Sequence, residues 1–299
     1  MLLLSVNFNK FALNMNPNVS IILPNYNHAP YLQERLDSIF NQTYQDFEII
    51  ILDDHSTDGS LEILKKYQKH PKVSKIIVNN ENSGSPFLQW QKGLKLAKGK
   101  FIWIAESDDC CDLNFIETQL EHLVKADVAV AKTIALTNDS LKNEIIHPVF
   151  DDSKQDDALL YCPILNVSGV LFKSSLITDN TDSHFSKFKK IGDKVFYFEY
   201  FRNANMVFNA QTANHFRQIN SSVSKLKNRD TSYYKSYFDE HCGFIKYAQK
   251  LDPSITKILV KRYIKKFYGR VSNRVPKEKK WTIKYLNLFI AYKLKILKY

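Results

Sequence analysis

Long hydrophobic runs are absent from this chain of 299 residues. No stretch of about 18 uninterrupted apolar residues occurs, so the sequence predicts no transmembrane helix. The apolar start Met1–Leu4 is too short for the core of a signal peptide, and Lys10 follows it instead of preceding it. Met15 lies just before the first strand pattern. Residues 1–18 are therefore predicted to be a loose arm, unless the first 14 positions reflect a misassigned start.

Cysteine is scarce, and its spacing excludes several kinds of site. The chain has four cysteines, which are Cys110, Cys111, Cys162 and Cys242. They form no C-x-x-C pair, which argues against zinc and dithiol redox sites, and adjacent cysteines rarely bridge each other. Apart from the recurrence of a strand pattern followed by an Asp-Asp pair, internal repeats and low-complexity segments are absent as well. We therefore predict reduced thiols, either buried or incidental, in a cytosolic protein.

Acidic residues are nearly absent from the end of the chain. Residues 257–299 contain 14 Lys or Arg and one acid, Glu278, and so carry +13, whereas the whole chain carries +11 and residues 1–256 carry −2. Apolar residues recur at helical spacing in the last part of this region, namely Ile283, Leu286, Phe289, Ile290, Leu294 and Leu297. A basic amphipathic region such as residues 256–299 is predicted to bind an anionic membrane surface or to pack on the rest of the protein. Nucleic acid is not predicted as a partner, because no recognition motif accompanies the charge.

The first half of the chain alternates strand and helix patterns. The predicted strands are Val19–Leu23, Phe47–Leu52, Val73–Val78 and Phe101–Ala105, and the predicted helices are Tyr31–Phe40, Leu61–Tyr67, Phe87–Ala97 and Asn114–Val124. Pro24 is expected to end the first strand, Thr57 or Asp58 to cap the second helix, and Gly99 to cap the third. The Ile-rich strand runs are typical of strands buried on both faces. This order predicts an α/β fold with a doubly wound, mostly parallel sheet flanked by helices.

The alternation of strand and helix patterns changes after residue 125. The predicted elements there are strands at Val128–Ala135, Ile145–Phe150 and Val167–Phe172, a helix at Lys194–Phe201, a strand or loop at Val207–Phe216, and helices from Tyr233 onward. The fold is therefore expected to end in a helical, basic C-terminal extension.

Carboxylates follow two of the predicted strands directly. Asp54 belongs to an Asp-Asp pair after the second strand, and Glu106, Asp108 and Asp109 follow the fourth. Open α/β sheets bind ligands at the carboxyl ends of their strands. Crowded acids repel one another unless a cation or hydrogen-bond donors offset them, and carboxylate oxygens suit Mg²⁺ or Mn²⁺. Helix capping by Asp108, Asp109 or Asp112 is the alternative role, but capping needs one carboxylate and not three. The sequence thus favours a site for a divalent metal and a polyhydroxylated or phosphorylated ligand.

Three loops allow a weaker interpretation. Tyr26, in the turn after the first strand, could stack on a nucleobase or pack as an ordinary turn residue. Gly84 and Ser85 open the third helix, where backbone N–H groups could bind phosphate. The segment 53–59 is similar to a calcium loop, but Lys65 stands where an EF-hand needs glutamate, which excludes that motif.

Three segments, in this order and spacing, resemble the family-2 glycosyltransferases, whose nucleotide-sugar fold is called GT-A. They are Val19–Asn27, Phe47–Gly59 and Ala97–Asp109. The resemblance implies a GT-A glycosyltransferase domain over residues 19–225, followed by a helical, basic amphipathic region over residues 226–299. It also implies a nucleotide-sugar donor and a divalent metal, Mn²⁺ or Mg²⁺.

The same resemblance implies roles for individual residues. The implied nucleotide-binding residues are Pro24, Tyr26, Asn27, Asp54, Asp108, Arg217 and Ser221, and Gly84 and Ser85 at the start of the third helix are predicted to join them. Asp54 is expected to accept a hydrogen bond from a ring N–H of the base, and Asp108 to lie near the ribose. Asp109 is the implied metal ligand, and Glu106 replaces the usual leading aspartate of this motif.

The segment 214–224 resembles a loop that closes over the diphosphate in this family. Arg217 and the hydroxyl of Ser221 or Ser222 would meet phosphate oxygens there. The family often has a histidine where Ile219 stands, so a third metal ligand from the protein is not assigned, and His215 is offset from that position.

Asp193 is the candidate catalytic base, because it opens an apolar helix where the family places an acid. A plain N-cap is the alternative role for this residue. The resemblance implies an inverting, metal-dependent transferase that passes a sugar to a glycan or lipid-linked acceptor in bacterial surface polysaccharide synthesis. It implies a cytoplasmic enzyme, peripheral on the inner face of the membrane if the basic region binds lipid.

Two other functions fit parts of the same pattern. A sugar-1-phosphate nucleotidylyltransferase would need a Gly-rich loop with Arg and Lys after the first strand, and the segment 25–28 has neither. A catalytically dead nucleotide-sugar-binding or membrane-adaptor protein would keep the same binding residues, and only a turnover assay separates it from the enzyme.

Overall fold

The structure is a computed structural model, and it describes residues 16–136, 144–146, 160, 164–178, 183–217 and 229–299. Several sequence predictions lie outside these residues. They concern Ser221 with Ile219 and Ser222, Cys162, and most of the predicted strand 145–150. The three cysteines that are described are free thiols, as expected.

The strands are β1 (Val19–Asn25), β2 (Phe47–Asp53), β3 (Val73–Val78), β4 (Phe101–Ile104), β5 (Cys110–Cys111), β6 (Val128–Leu136), β7 (Glu144–Ile146), β8 (Val170–Lys173) and β9 (Met206–Arg217). The first four are parallel and lie in the order β3-β2-β1-β4, which confirms the predicted doubly wound arrangement. The prediction that Pro24 ends β1 is wrong by one residue. Pro24 still pairs with Leu52, and the strand continues to Asn25 opposite Asp53.

The second half of the sheet is mixed. Its order continues β4-β8-β6-β9-β5, and β7 pairs with β6. β8 runs antiparallel to both β4 and β6, whereas β9 runs parallel to β6. The residues predicted to begin β8, Val167–Gly169, form a 3₁₀ turn instead. This turn brings its side chains beside the carboxyl end of β4.

A register shift interrupts the pairing of β6 with β9. Ala131 pairs with Asn209, but the next residue, Lys132, pairs with Ala213. Residues 210–212 therefore bulge out of the ladder. Beyond the bulge, β9 also pairs with the short strand β5, which follows the acidic segment after β4.

The helices are α1 (Ala29–Phe40), α2 (Ser60–Lys66), α3 (Pro86–Leu96), α4 (Phe115–Leu123), α5 (Gly192–Phe201), α6 (Thr231–Leu251), α7 (Lys257–Ser272) and α8 (Ile283–Leu297). Alternate residues of each central strand point to opposite faces of the sheet. Ile21 and Ile49 pack with α1, α2 and α4 in one cluster. Ile22 and Ile50 pack with α3 and α5 in the other, which extends to α6, α7 and α8. Two helical layers thus cover the sheet.

The C-terminal helices begin at good capping residues. Asp230, Thr256 and Thr282 each accept a hydrogen bond from a backbone N–H in the first turn of α6, α7 and α8. α8 packs through Leu288, which is buried, and through Tyr292, whose ring stacks on Tyr268 of α7 at 3.9 Å. Within the parts of the chain that the structure describes, no helix is long and apolar enough to cross a bilayer.

Gly99 has a different role from the predicted helix cap. α3 ends at Leu96, and Ala97 is its C-cap. A Cβ atom at Gly99 would lie 2.5 Å from the backbone nitrogen of Ser20, which is closer than real Cβ contacts come. Glycine is therefore required because the chain entering β4 runs directly against the backbone of β1.

Replacing Gly93 with alanine is expected to destabilise the fold. An added Cβ would lie 2.3 Å from Cγ2 of Ile22, a fully buried and branched side chain that has no room to move. Overpacking of this kind costs about 1–3 kcal/mol. Gly269→Ala is the matched control, because Gly269 is also helical and a Cβ there meets nothing within 4 Å. That control should gain about 0.5–1 kcal/mol from helix propensity. Urea unfolding measures both, and equal unfolding free energies would contradict the packing argument.

Candidate active site

Loops from three parallel strands meet at one edge of the sheet. The amide nitrogen of Asn25, at the end of β1, donates to Asp53 Oδ2 at 2.7 Å, and the backbone N–H of Asp54 donates to the Asn25 carbonyl at 2.8 Å. His28 Nδ1 lies 2.8 Å from the hydroxyl of Ser107, which follows β4. The carboxyl ends of β1, β2 and β4 are thus joined, as expected for ligand sites in such sheets.

The loop after β1 is pinned to the loop after β2. Asn27 has a φ of 54°, in the left-handed region that asparagine tolerates. Its backbone N–H donates to Ser56 Oγ at 3.0 Å, and its side-chain oxygen accepts from the Thr57 N–H at 2.8 Å. Tyr26, just before it, is 44 % exposed. The loop backbone is thus held by hydrogen bonds, while the Tyr26 side chain is exposed to solvent at this edge of the sheet.

Asp58 joins the starts of two helices. Its carboxylate accepts from the backbone N–H of Ala29, the first residue of α1, at 2.8 Å. It also accepts from the N–H of Ser60, the first residue of α2, at 2.9 Å. The N-cap of α2 is Gly59, so the prediction that Thr57 or Asp58 caps this helix is wrong. Asp58 instead fixes the starts of the two helices relative to each other.

Asp54 is buried and has several donors around it. Its Oδ1 accepts from the side chains of Asn79 at 2.6 Å and Gln89 at 2.8 Å, and from the backbone N–H of Ser83 at 3.0 Å. Its Oδ2 accepts from Ser83 Oγ at 2.7 Å. Oδ1 thus accepts three of the four hydrogen bonds and Oδ2 one, so Oδ2 is the less occupied acceptor. Gly84, with a φ of 72°, follows Ser83 directly and leads into α3.

Polar atoms without partners concentrate near this edge. Among the described residues, the buried atoms that lack a hydrogen-bond partner include Asn25 Oδ1, Ser85 Oγ, Gln89 Oε1 and the three side-chain nitrogens of Arg35. Buried polar groups almost always have partners in native proteins. Three of these side chains lie on the loops around Asp53 and Asp54 or at the start of α3, where a polar ligand would satisfy them.

The carboxyl groups of the acidic segment after β4, Glu106, Asp108 and Asp109, have raised pKa values. Burial and the neighbouring Asp108 carboxylate raise the pKa of Glu106 to about 8, while Trp90 Nε1 donates to it at 2.6 Å. Burial and Asp108 also raise the pKa of Asp109 to about 6, and burial raises the pKa of Asp108. A cation held by these carboxylates would lower their pKa values again, because it favours the charged form.

Asp109 is fixed from two sides. Its Oδ2 accepts from the Asn166 side chain at 2.7 Å, and its Oδ1 accepts from the backbone N–H of Arg217 at 3.0 Å. The Arg217 side chain donates from Nε to the carbonyl of Asp108 at 3.0 Å and pairs with Glu34 at 2.6 Å. The structure thus brings Arg217 beside Asp108 and Asp109, although Arg217 lies 108 residues after Asp109 in the sequence.

The donor set around Asp109 fits a metal that shares its coordination with a ligand. Among the described residues, no cluster of three or more His, Cys, Asp or Glu is arranged to hold a metal alone. Asp108 and Asp109 nevertheless offer two adjacent carboxylates, and Mg²⁺ is commonly bound by one or two carboxylates plus substrate phosphates. His215 does not join them, because its Nε2 pairs with Asp112 at 2.8 Å.

Arg35 is a site component that the sequence did not reveal. This residue of α1 is fully buried, and its guanidinium carbon lies 4.8 Å from the centre of the Trp103 ring on β4. Its positive charge lowers the pKa of Glu106, Asp108 and Asp109, against the raising effect of burial. A buried cation therefore stabilises the ionised form of the acidic segment.

Asp193 is linked to this region through α3. It is the second residue of α5, whose N-cap is Ile191, so it is not the N-cap itself. Its Oδ1 accepts from the N–H of Lys194 at 2.8 Å, and burial raises the pKa of its carboxyl. The adjacent Gly192 packs against the Phe87 ring, which meets Trp90 edge-on at 5.0 Å. Since Trp90 donates to Glu106, one aromatic pair separates the start of α5 from the acidic segment.

Comparison with known proteins gives a consistent result. The profile of the family described as Glycosyl transferase family 2 matches residues 20–169. The chain is 32 % identical over 186 residues to a poly(ribitol-phosphate) beta-glucosyltransferase of Bacillus spizizenii, a match that covers 60 % of the chain and 28 % of that protein. It is 34 % identical over 120 residues to the putative teichuronic acid biosynthesis glycosyltransferase TuaG of Bacillus subtilis, covering 40 % of the chain and 47 % of the relative. The chain thus spans less than half the length of these curated relatives.

Solved structures share the fold. Residues 1–349 of S. aureus TarS, in complex with UDP-GlcNAc, superpose with a TM-score of 0.68 at 20 % identity, covering 94 % of this chain and 82 % of the other. The mannosyltransferase PcManGT from Pyrobaculum calidifontis, in complex with GDP-Man and Mn²⁺, superposes with a TM-score of 0.57 at 14 % identity, covering 95 % and 88 % of the two chains. At 20 % and 14 % sequence identity, the superpositions show a shared fold and no more, and they confirm the predicted fold class.

Proposed function

The chain belongs to glycosyl transferase family 2, and from this premise we propose that it moves a sugar from a nucleoside-diphosphate sugar to a hydroxyl of a glycan or lipid-linked acceptor. One observation carries the proposal. Asp54, Asp108 and Asp109 follow different strands, yet the loops that hold them meet at one edge of the sheet beside Arg217. This edge combines acceptors for a base and a ribose with carboxylates for a cation.

The nucleotide is proposed to bind along the loops after β1 and β2. Asp54 Oδ2, which accepts a single hydrogen bond among the described residues, suits a ring N–H, and the exposed Tyr26 ring suits stacking on the base. Pro24 and Asn27 would shape the same pocket, the latter through its hydrogen bonds to the loop after β2. Uridine is the proposed base, since the TarS structure with the same fold was solved with UDP-GlcNAc.

The diphosphate is proposed to lie near the acidic segment. Asp109, with Asp108 toward the ribose, would hold Mn²⁺ or Mg²⁺, which when bound stabilises the negative charge of the departing diphosphate. Arg217 is already fixed beside both aspartates and would add a cation near the phosphate oxygens. Gly84 and Ser85 would contribute from the start of α3, where the Ser85 hydroxyl has no partner among the described residues. Ser221 is proposed for the same role.

Asp193 is the proposed general base. Its carboxylate would accept the proton of the acceptor hydroxyl as that oxygen attacks the anomeric carbon from the face opposite the leaving group. A new C–O bond forms while the bond from the anomeric carbon to the diphosphate oxygen breaks, and the nucleoside diphosphate departs with the bonding electrons. One displacement inverts the anomeric configuration, so no second nucleophilic carboxylate is required.

The biological role is proposed by analogy with the curated relatives. Their names refer to poly(ribitol-phosphate), teichuronic acid and chondroitin. Surface polysaccharide synthesis in bacteria is therefore the proposed process. The proposed location is the cytoplasm, at the inner face of the membrane, where lipid-linked acceptors are available. Residues 19–225 are the proposed catalytic domain, and residues 226–299 the proposed helical region that accompanies it.

A donor panel tests the proposal. The purified protein is mixed with UDP-, GDP- and dTDP-sugars in the presence and absence of Mn²⁺, and both thermal shift and slow release of the nucleoside diphosphate are recorded. We expect one UDP-sugar to raise the melting temperature and to be hydrolysed, with Mn²⁺ increasing the rate. Binding without release, both with and without Mn²⁺, would indicate a nucleotide-sugar-binding protein instead. Failure of every donor to bind would remove the proposal altogether.

A further inference from the structure

α8 has an apolar face in addition to the one that packs on the protein. Its inner face contributes Leu288 and Tyr292 to the core. Five other aliphatic side chains of the helix are between 45 % and 81 % exposed, namely Ile283, Leu286, Ile290, Leu294 and Leu297. We call these five residues the outer stripe. The sequence predicted that the basic region either packs on the protein or binds a membrane surface. Both are compatible with α8, because one face of the helix packs and another is exposed.

The outer stripe is continuous. At about 100° per residue, its five members fall within an arc of about 80°, on the side opposite Tyr292. Trp281, which precedes the helix, is 94 % exposed as well. Scattered exposed apolar residues are normal, but a contiguous row on one helix face marks an interaction site.

Lysines lie on both sides of the outer stripe, and their positive charge indicates an anionic partner. On the same helical projection, Lys293 borders one side of the stripe, and Lys284, Lys295 and Lys298 follow on the other. The sequence of α8 contains no Asp or Glu, and Glu278 is the one acid among residues 257–299. Apolar residues flanked on both sides by lysines are typical of helices that lie in the interface of an anionic bilayer.

We propose that the outer stripe inserts into the headgroup region of an anionic membrane surface while the flanking lysines contact lipid phosphates. Each lysine near such a surface strengthens binding by roughly fivefold, and burial of each aliphatic side chain adds about tenfold. This inference gives the proposed peripheral location a structural basis. It does not depend on the sugar-transfer reaction, and the two can fail separately.

Vesicle sedimentation tests the proposal. The full chain is mixed with vesicles of phosphatidylcholine alone or with phosphatidylglycerol added. We expect binding to the anionic vesicles, weaker binding at high salt because exposed charges are screened, and little binding to the neutral ones. The double variant Ile290→Gln/Leu294→Gln should lose about a hundredfold in partitioning, and Lys284→Gln/Lys295→Gln about 25-fold. Both pairs lie on the exposed side of α8, so an unchanged melting temperature is expected.

Two controls make the result specific. Val124→Gln removes an apolar side chain that is 80 % exposed outside the outer stripe, and it should bind vesicles like the wild type. Trp281 is exposed whereas Trp90 and Trp103 are buried, so a blue shift of tryptophan emission on anionic vesicles should vanish in Trp281→Phe. Wild-type protein that ignores anionic vesicles would overturn the proposal. Unchanged binding of the anionic vesicles by Ile290→Gln/Leu294→Gln would also overturn it. A third contrary result would be a wild-type dimer in solution that this double variant alone dissociates to monomers.

Discussion

Asp109→Asn is expected to lower the rate of sugar transfer by about a thousandfold, equivalent to about 4 kcal/mol of transition-state stabilisation. Asp109 is buried, and its two oxygens are aligned by Asn166 and by the backbone N–H of Arg217. An asparagine has one acceptor oxygen and no charge, so it loses both the alignment and the attraction for a cation. Release of nucleoside diphosphate over a Mn²⁺ titration measures the effect, and saturating Mn²⁺ should not restore the rate.

The control for this variant is Asp37→Asn on the exposed side of α1, where the carboxylate accepts a hydrogen bond from Gln33, its one side-chain partner among the described residues. It should keep the wild-type rate. Asp108→Asn provides a second test, because its carboxylate makes no hydrogen bond with another described side chain that would be lost on substitution. If Asp109→Asn folds, by its melting temperature, and still transfers sugar at the wild-type rate, the proposed metal site is wrong.

Asp193→Asn is expected to lower the transfer rate by about 10²–10⁴-fold and to leave donor binding intact. Burial raises the pKa of the Asp193 carboxyl. Because only the deprotonated form accepts a proton, the wild-type rate should rise with pH through a pKa above that of an ordinary aspartate. The variant should lack this acidic limb. Initial rates across a pH series, with donor affinity measured in parallel, test the prediction.

The same variant should be more stable than the wild type at neutral pH. A carboxyl whose folded pKa is raised favours folding while it is protonated, and that contribution is lost as pH rises through the raised pKa. Asparagine carries no charge to desolvate, so Asp193→Asn escapes this loss. Asp239→Asn, at a more exposed carboxylate paired with Lys235 on α6, is the control and should change neither the rate profile nor the melting temperature by much. A fully active Asp193→Asn would exclude the residue as the base.

The first half of the fold was predictable because its signals are local. Buried parallel strands such as β2 show as unbroken apolar runs, and acids directly after them must lie at the carboxyl edge whatever the rest of the chain does. Asp54, Asp108 and Asp109 therefore needed no knowledge of long-range contacts. Arg217 was suggested by resemblance alone, and its place beside Asp109 depends on β9 pairing with β5, which no local pattern specifies.

Other parts of the site were not predictable from local patterns. Arg35 stands among apolar positions of an amphipathic helix, where a cation is normally read as solvent-exposed, and only the fold shows that the Trp103 ring covers it. Ser168 lies within the predicted strand Val167–Phe172, and Asn166 comes just before it. The Asn166 side chain accepts from the Ser168 N–H at 2.8 Å and so turns the chain before β8 begins. The role of Gln89 was not predictable either, because nothing in the pattern of α3 indicates that this polar side chain donates a hydrogen bond to Asp54.

The bulge between β6 and β9 separates the length of the chain from the orientation of its side chains. Residues 210–212 lie outside the ladder, whereas Ala213–Arg217 pair with Lys132–Leu136 beyond it. Because side chains of directly paired residues point to the same face of a sheet, this pairing sets the side on which Arg217 lies. A change in the number of bulge residues would therefore leave Arg217 beside Asp108 and Asp109, whereas a slip of one residue in the pairing beyond the bulge would turn Arg217 to the opposite face.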